Sequence, residues 1–277
     1  MDLNWLECLF LGFVSGFADV LPVSSQAHRA IILKIFGATG EPLLLRLAIH
    51  LAVLGTMYYC CSNHIRRLYR QIMLNRVPKK RRKRPVEPKV IAEFKVLRVM
   101  IIPVVLSWFL YGKTAAWGMR LNLIALFLLL NGVILYIPRL MPTGNKDGLS
   151  MSMLDSLLMG MGESLAVLPG VSPVAGAVSV ASVCGAERQF ALGVTYLAHI
   201  VMTIGLVFLD VIAIANGNVV FSGPVLMCCL VAAAAAAAGT YLGMRVMRVL
   251  AENIGYGFFA FYSFGCALIS FVFYLMA

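Results

Sequence analysis

Apolar positions run along this chain in two different ways. Over 42–61, 122–138, 190–211, 222–247 and 254–276 they are nearly continuous, close to the ~20 residues a helix needs to cross the hydrocarbon core of a bilayer. A shorter span is read from Val99 to Leu110. Elsewhere the runs are broken. Residues 4–21 are interrupted by Gly12, Gly16 and Asp19 and stop at Pro22, and 23–36 form a second short segment closed by Phe36-Gly37. Residues 153–184 are again a short pair broken by Gly and Pro. This pattern predicts two re-entrant helical hairpins that dip into the membrane and return, because broken helices at membrane depth are tolerated where they line a protein-enclosed cavity. The fold class expected is an all-α polytopic membrane protein, one integral membrane domain over 1–277 with about six spanning helices.

The two broken segments resemble each other. Val20-Leu21-Pro22 matches Val167-Leu168-Pro169, and Ser25 matches Ser172, at a spacing of 147 residues. Paired interrupted segments in two halves point to inverted repeats with a site at their interface. The first repeat is placed at 1–138 and the second at 151–277, joined by the turn-rich stretch from Met141 to Gly148.

Composition agrees and adds an orientation. Charged residues are 13% of the chain against 61% hydrophobic, about half the charge of a soluble domain. The net charge of +11 is concentrated: thirteen of the 23 Lys and Arg lie between Arg66 and Arg98, around Lys79-Lys80-Arg81-Arg82-Lys83-Arg84. In this context a loop over 62–98 that obeys the positive-inside rule and touches anionic lipid explains the run better than nucleic-acid binding does. With that loop in the cytoplasm, Arg139, Lys146, Arg188, Arg245 and Arg248 fall on the same side, and Lys113 and Arg120 on the other. Met1-Asp2-Leu3-Asn4 has no basic lead-in of the signal-peptide kind, so the first segments are expected to remain in the mature protein. Seven cysteines show no C-x-x-C spacing and read as small core residues.

The candidate chemistry sits at the first break. Asp19, Ser24, Ser25, His28 and Arg29 crowd into eleven positions of an apolar region, and each buried polar group without a partner costs free energy. Ser24 and Ser25 can cap a returning helix, and Ser25 can also be a nucleophile with His28 one helical turn away as its base. The free amides of that helix start form an anion site whatever the side chains do. His50 and His199, mid-span, read as interhelical hydrogen-bonding groups, and Asp210 as a cap near the end of its span. Arg29 and Arg46 either reach the site or extend to the membrane surface.

Leu21-Pro22-Val23-Ser24-Ser25 followed by His28 resembles the first signature of the bacterial undecaprenyl-pyrophosphate phosphatases, the bacitracin-resistance family. Ala166-Val167-Leu168-Pro169-Gly170-Val171-Ser172 resembles the start of the second, Pro-Gly-x-Ser-Arg-Ser. His50-Leu51-Ala52-Val53-Leu54, Ala186-Glu187-Arg188-Gln189-Phe190-Ala191 and Phe259-Ala260-Phe261-Tyr262 follow in the family's order, so the likeness spans nearly the whole chain.

The resemblance implies a bacterial inner-membrane enzyme whose site is open to the outer face. It implies removal of the terminal phosphate from a polyprenyl diphosphate, giving the lipid carrier for cell-wall precursors. By the same likeness Ser25 and His28 are catalytic, while Ser24, Gly170 and Ser172 bind phosphate; Arg29, directly after His28, is added from its position as a phosphate-binding cation. Asp19 is a candidate ligand for Mg²⁺ or Ca²⁺. The expected partners are polyprenyl diphosphate or monophosphate, the bilayer and a second copy of the chain as homodimer, with no nucleic acid.

Four positions depart from the family pattern, three of them at the signatures: Ser15 replaces a glutamate, Pro173 replaces the second-signature arginine and Val174 the serine after it. Proline offers no donor where the family has a bidentate phosphate clamp. Glu163 replaces a glutamine and adds negative charge. The alternative function is therefore a catalytically impaired homologue that transports or binds polyprenyl phosphate.

Overall fold

The computed structural model describes residues 3–38, 40–82, 84–114, 117–217, 219 and 221–276. Among them the chain forms α1 (Trp5–Asp19), α2 (Ser25–Ile35), α3 (Leu43–Arg76), α4 (Pro88–Thr114), α5 (Leu121–Tyr136), α6 (Met153–Ser164), α7 (Pro173–Val183), α8 (Arg188–Asn216), α9 (Gly223–Asn253) and α10 (Phe259–Met276). Five of these elements, α3, α5, α8, α9 and α10, are long and apolar enough to cross a membrane. The polytopic all-α expectation holds.

The broken segments are two helix–turn–helix pairs built by the same local devices. Asn4 and Ser152 start α1 and α6 with capping boxes closed by Glu7 and Asp155. Each first helix ends before a Leu-Pro turn, and each second helix starts on a serine cap, Ser24 for α2 and Ser172 for α7. Pro173 is the first residue of α7, where a proline's missing N–H is no loss. At 15, 11, 12 and 11 residues, α1, α2, α6 and α7 reach only about 16–22 Å, short of the ~30 Å hydrocarbon core.

Two boundaries differ from the sequence expectation. α3 continues past 61 to Arg76, and α4 begins at Pro88 rather than Val99. The fall in hydropathy marked where these helices leave the apolar layer, not where they end, since Arg, Lys and Glu are good helix formers. The connection between them is correspondingly short. It is tied back by Glu87, which pairs with Arg67 and exchanges hydrogen bonds with Gln71, 2.8 Å to its carboxylate and 3.1 Å from its N–H.

The main packing partners are unchanged when the first five helices are exchanged with the last five. α1 lies on α9 as α6 lies on α4; α3 lies on α9 as α8 lies on α4; α3 with α8 and α5 with α10 pair across the middle. Small residues set the closest approach. A Cβ on Gly16 would lie 2.1 Å from the Ala236 carbonyl oxygen, and one on Gly160 would lie 2.2 Å from that of Met100. The Ala232–Ala238 run on α9 is therefore packing surface.

One side chain joins the two turns. Asn131, fully buried on α5, donates to the Pro22 carbonyl at 3.1 Å and to Ser263 Oγ at 2.9 Å, and accepts from the Ser172 N–H at 2.9 Å. Ser172 Oγ adds a bond to the Leu21 carbonyl at 3.2 Å, and Tyr196 Oη one to the Val20 carbonyl at 3.0 Å. Replacing Asn131 with Leu leaves a buried acceptor and a buried donor unpaired. The expected cost is about 2–4 kcal/mol, read as a lower unfolding midpoint in detergent; an unchanged midpoint would show that the latch is dispensable.

Candidate functional site

The turn before α2 is held in a strained shape. Ser24 has φ +62, the one positive φ on a non-glycine among the described residues. That conformation costs of order 1 kcal/mol or more and needs surrounding contacts to persist. Here Ser24 is buried, its Oγ accepts from the Ala27 N–H at 3.4 Å and its carbonyl accepts from His28 Nδ1 at 2.8 Å. The result places Ser25 at the first position of α2, turned toward the end of α1.

Ser25 Oγ donates to Asp19 Oδ1 at 2.5 Å. The other Asp19 oxygen lies 3.0 Å from His199 Nε2 on α8, and Nδ1 of that ring is 3.8 Å from Glu163 Oε1 on α6. Arg29 Nη1 also approaches Ser25 Oγ, to 3.5 Å. Arg29 Nε donates to Glu41 Oε1 at 2.6 Å, and Arg46 bridges Glu41 at 3.4 Å to Asp210 at 2.7 Å. His50 Nδ1 closes the chain on the second Asp210 oxygen at 2.6 Å. A cavity of about 30 Å³ opens among Ser25, Arg29, His50, Tyr111, Pro173 and His199, room for about one water.

The structure thus gathers Asp19, Ser24, Ser25 and Arg29 around one space, and sends other expected residues elsewhere. The His28 ring does not face Ser25. Its nitrogens are engaged by the Ser24 carbonyl and, at 2.7 Å, by Tyr262 Oη on α10. Gly170, at φ +127, presses against α5, where a Cβ would stand 2.8 Å from Phe127 Cβ. The Ser172 hydroxyl is taken up by the cap of α7 and by Leu21. From the second turn it is Val171 and Pro173 that line the cavity. Asp210 is not a span-end cap: it lies inside α8 and bonds two side chains of α3. His50 and His199 do make the interhelical bonds expected of them.

Sequence reasoning passed over Glu41 and Tyr111. Glu41, between Gly40 and Pro42, reads as a loop carboxylate. The available signal was scarcity: with only 12 acidic residues in the chain, an acid at the edge of an apolar run needs a partner. Tyr111 carries no sequence signal that separates it from other span tyrosines.

Chemically, the arrangement holds a hydroxyl against a carboxylate, with a guanidinium and the first amides of α2 beside it. Helix-start amides lack intrahelical acceptors and favour anions. Such a set suits attack on a phosphoryl group.

The bacitracin resistance protein BacA family profile matches residues 8–269. The chain is 25% identical over 277 residues to undecaprenyl-diphosphatase 1 of Shouchella clausii, covering 98% of this chain and 97% of that protein. It is 25% identical to the undecaprenyl-diphosphatase of Carboxydothermus hydrogenoformans over 262 residues, 94% of each. With that of Treponema denticola it shares 22% over 258 residues, 92% of each.

Glu163 is fully buried, and neither of its oxygens has a hydrogen-bond partner. A carboxylate left without partners in that position is costly to bury. Glu163→Gln keeps the shape and is expected to unfold at or above the wild-type temperature. A midpoint several degrees lower would show instead that an ion pair with an imidazolium of His199 stabilises the fold.

Proposed function

The chain belongs to the bacitracin resistance protein BacA family, and we propose that it hydrolyses undecaprenyl diphosphate or a related polyprenyl diphosphate. The products are the lipid monophosphate carrier used in cell-wall synthesis and inorganic phosphate. The observation that carries this reading is the Ser25 hydroxyl in contact with the Asp19 carboxylate at 2.5 Å and the Arg29 guanidinium at 3.5 Å. The similar proteins are undecaprenyl-diphosphatases, so the non-hydrolytic alternative is not adopted.

The steps follow from the contacts. Asp19 takes the Ser25 proton as Oγ bonds to the terminal phosphorus and the bond from that phosphorus to the bridging oxygen breaks. The polyprenyl monophosphate leaves with the bridging oxygen, and water then releases phosphate from the serine. Arg29 and the first amides of α2 face the oxygens where charge is greatest, the contribution that dominates phosphoryl transfer. His199, bonded to the far oxygen of Asp19, fixes that carboxylate and balances the proton it gains. Arg29 lines the same cavity as Pro173; a guanidinium from the first hairpin thus takes the place of the one absent from the second.

This reading assigns no divalent cation to Asp19. Both Asp19 oxygens are engaged, by Ser25 and His199, and the Ser15 hydroxyl donates to its own helix at Leu11. Guanidinium is the cation of this reading. The exchange symmetry of the packing is read as two inverted repeats, with α1–α2 and α6–α7 entering from opposite sides. The basic connection then lies in the cytoplasm and the cavity opens toward the outer leaflet of the bacterial inner membrane.

Purified protein should release phosphate from undecaprenyl diphosphate, and Ser25→Ala should lose at least about 10³-fold in kcat. Absence of release by the wild type would refute the activity. Asp19→Asn should lose more than His28→Ala, whose ring supports the α2–α10 contact. The reverse order would restore His28 as the base.

A further inference from the structure

A second polar feature lies between α3 and α9, away from Ser25. Tyr59, Ser62 and Arg66 follow one another at helical spacing on α3, with Tyr58 and Asn63 beside them. Tyr241, Arg245 and Arg248 do the same on α9, which packs against α3. Residues at spacings of three and four share a helix face. Together these side chains line a groove of about 610 Å³, within the size range of small-molecule sites.

Three observations point to an occupant. First, the groove gathers three guanidiniums, and among the described residues none of Arg66, Arg245 and Arg248 forms an ion pair. The neighbouring carboxylate, Glu252, is held by Gln189 Nε2 at 2.5 Å. Second, Arg245 is already ordered: Nη2 donates to Tyr241 Oη at 2.7 Å and its guanidinium lies 5.2 Å from that ring's centroid. Third, Tyr58, Tyr59 and Tyr241 are exposed by 57%, 72% and 42%, as tyrosines are where hydrocarbon meets headgroups. On α3, Arg66 lies sixteen residues beyond His50 toward the basic connection, a rise of about 24 Å. The groove therefore sits at headgroup depth on the basic-loop side. Arginines extending singly to the surface would not converge in one concavity.

We propose that this groove binds the headgroup of an anionic glycerophospholipid of the phosphatidylglycerol type. Guanidinium matches phosphate oxygens in a fixed fork geometry, and basic pockets between membrane helices hold anionic headgroups. The volume exceeds a single phosphate. The hydroxyl of Ser62, the amide of Asn63 and the tyrosine hydroxyls supply partners for glycerol hydroxyls. The proposal stands independently of the reaction at Ser25.

The test uses the full-length protein in neutral detergent, titrated with phosphatidylglycerol, phosphatidylcholine or inorganic phosphate, with the unfolding midpoint and native mass spectrometry as readouts. Phosphatidylglycerol should bind and raise the midpoint, and the other two should not. Arg245→Gln with Arg248→Gln should weaken that binding about tenfold or more, since each charge near a headgroup contributes roughly 1 kcal/mol. Arg66→Gln, on the facing helix, should weaken it by several-fold. Neutralising Lys79, Lys80 and Arg81 should leave it unchanged. Equal binding by the wild type and the α9 double variant would overturn the proposal. So would loss of binding in the loop variant, or an equal shift with inorganic phosphate alone.

Discussion

Both broken turns of this protein are tied together by buried hydrogen bonds, with the Asn131 side chain at their centre and the Ser172 hydroxyl bonded directly to the Leu21 carbonyl. The Asn131 amide donates to the carbonyl of Pro22 and accepts from the N–H of Ser172, so a single buried group on α5 bridges the two turns. The constraint has a simple origin. A helix interrupted inside an apolar layer leaves backbone donors and acceptors with no water to satisfy them. Each must find a protein partner, and here the partners are shared. The turns therefore sit at a fixed separation, and Ser25 and Pro173 line one cavity because of it.

The polar interior follows the same rule of internal satisfaction. Ser25, Asp19 and His199 form one chain of contacts; Arg29, Glu41, Arg46, Asp210 and His50 form another. Buried charges persist when they are paired and hydrogen-bonded. Pairing also has a functional consequence. In the proposed reaction the guanidinium on Glu41 would be shared with an incoming phosphoryl group, and the cavity of about 30 Å³ would widen to admit it. Ser24 holds a strained backbone at this point, as is common where a side chain is aimed at chemistry. Satisfaction is not complete: among the described residues both Glu163 oxygens, His199 Nδ1, Trp108 Nε1 and the hydroxyls of Ser179, Thr195 and Ser270 are buried without a hydrogen-bond partner.

Much of this was legible in the sequence, and what was missed has physical causes. Pro22 and the polar run after Asp19 announced the first broken pair; Gly12 and Gly16, expected as breaks, lie inside α1 and let it pack closely on Ala232 and Ala236 of α9. The hydrophobic periods announced the long helices, though not the ends of α3 and α4, since charged residues stop an apolar layer without stopping a helix. The first half of the site was legible as a polar cluster in an apolar run. Its partners were not. Asp19 meets His199 across 180 residues of chain and Arg46 meets Asp210 across 164, and such pairings depend on tertiary packing rather than on local pattern. His28 stood one turn from Ser25 in sequence, but its ring is drawn to Tyr262 on α10, which spacing alone does not reveal. The absent second-signature arginine looked like a damaged site. The structure puts Arg29 in the cavity lined by Pro173, and the proposed reaction draws its cation from that other hairpin.

The account stands on that guanidinium, and it is tested most directly by turnover of polyprenyl diphosphate by Arg29→Gln, alone and combined with Pro173→Arg. Removing the cation should lower kcat by at least about 10²-fold, and an arginine returned at 173, on the same cavity wall, should recover part of the loss. Wild-type turnover by Arg29→Gln would contradict the account, because the phosphoryl group would then be held by something other than the cation placed beside Ser25.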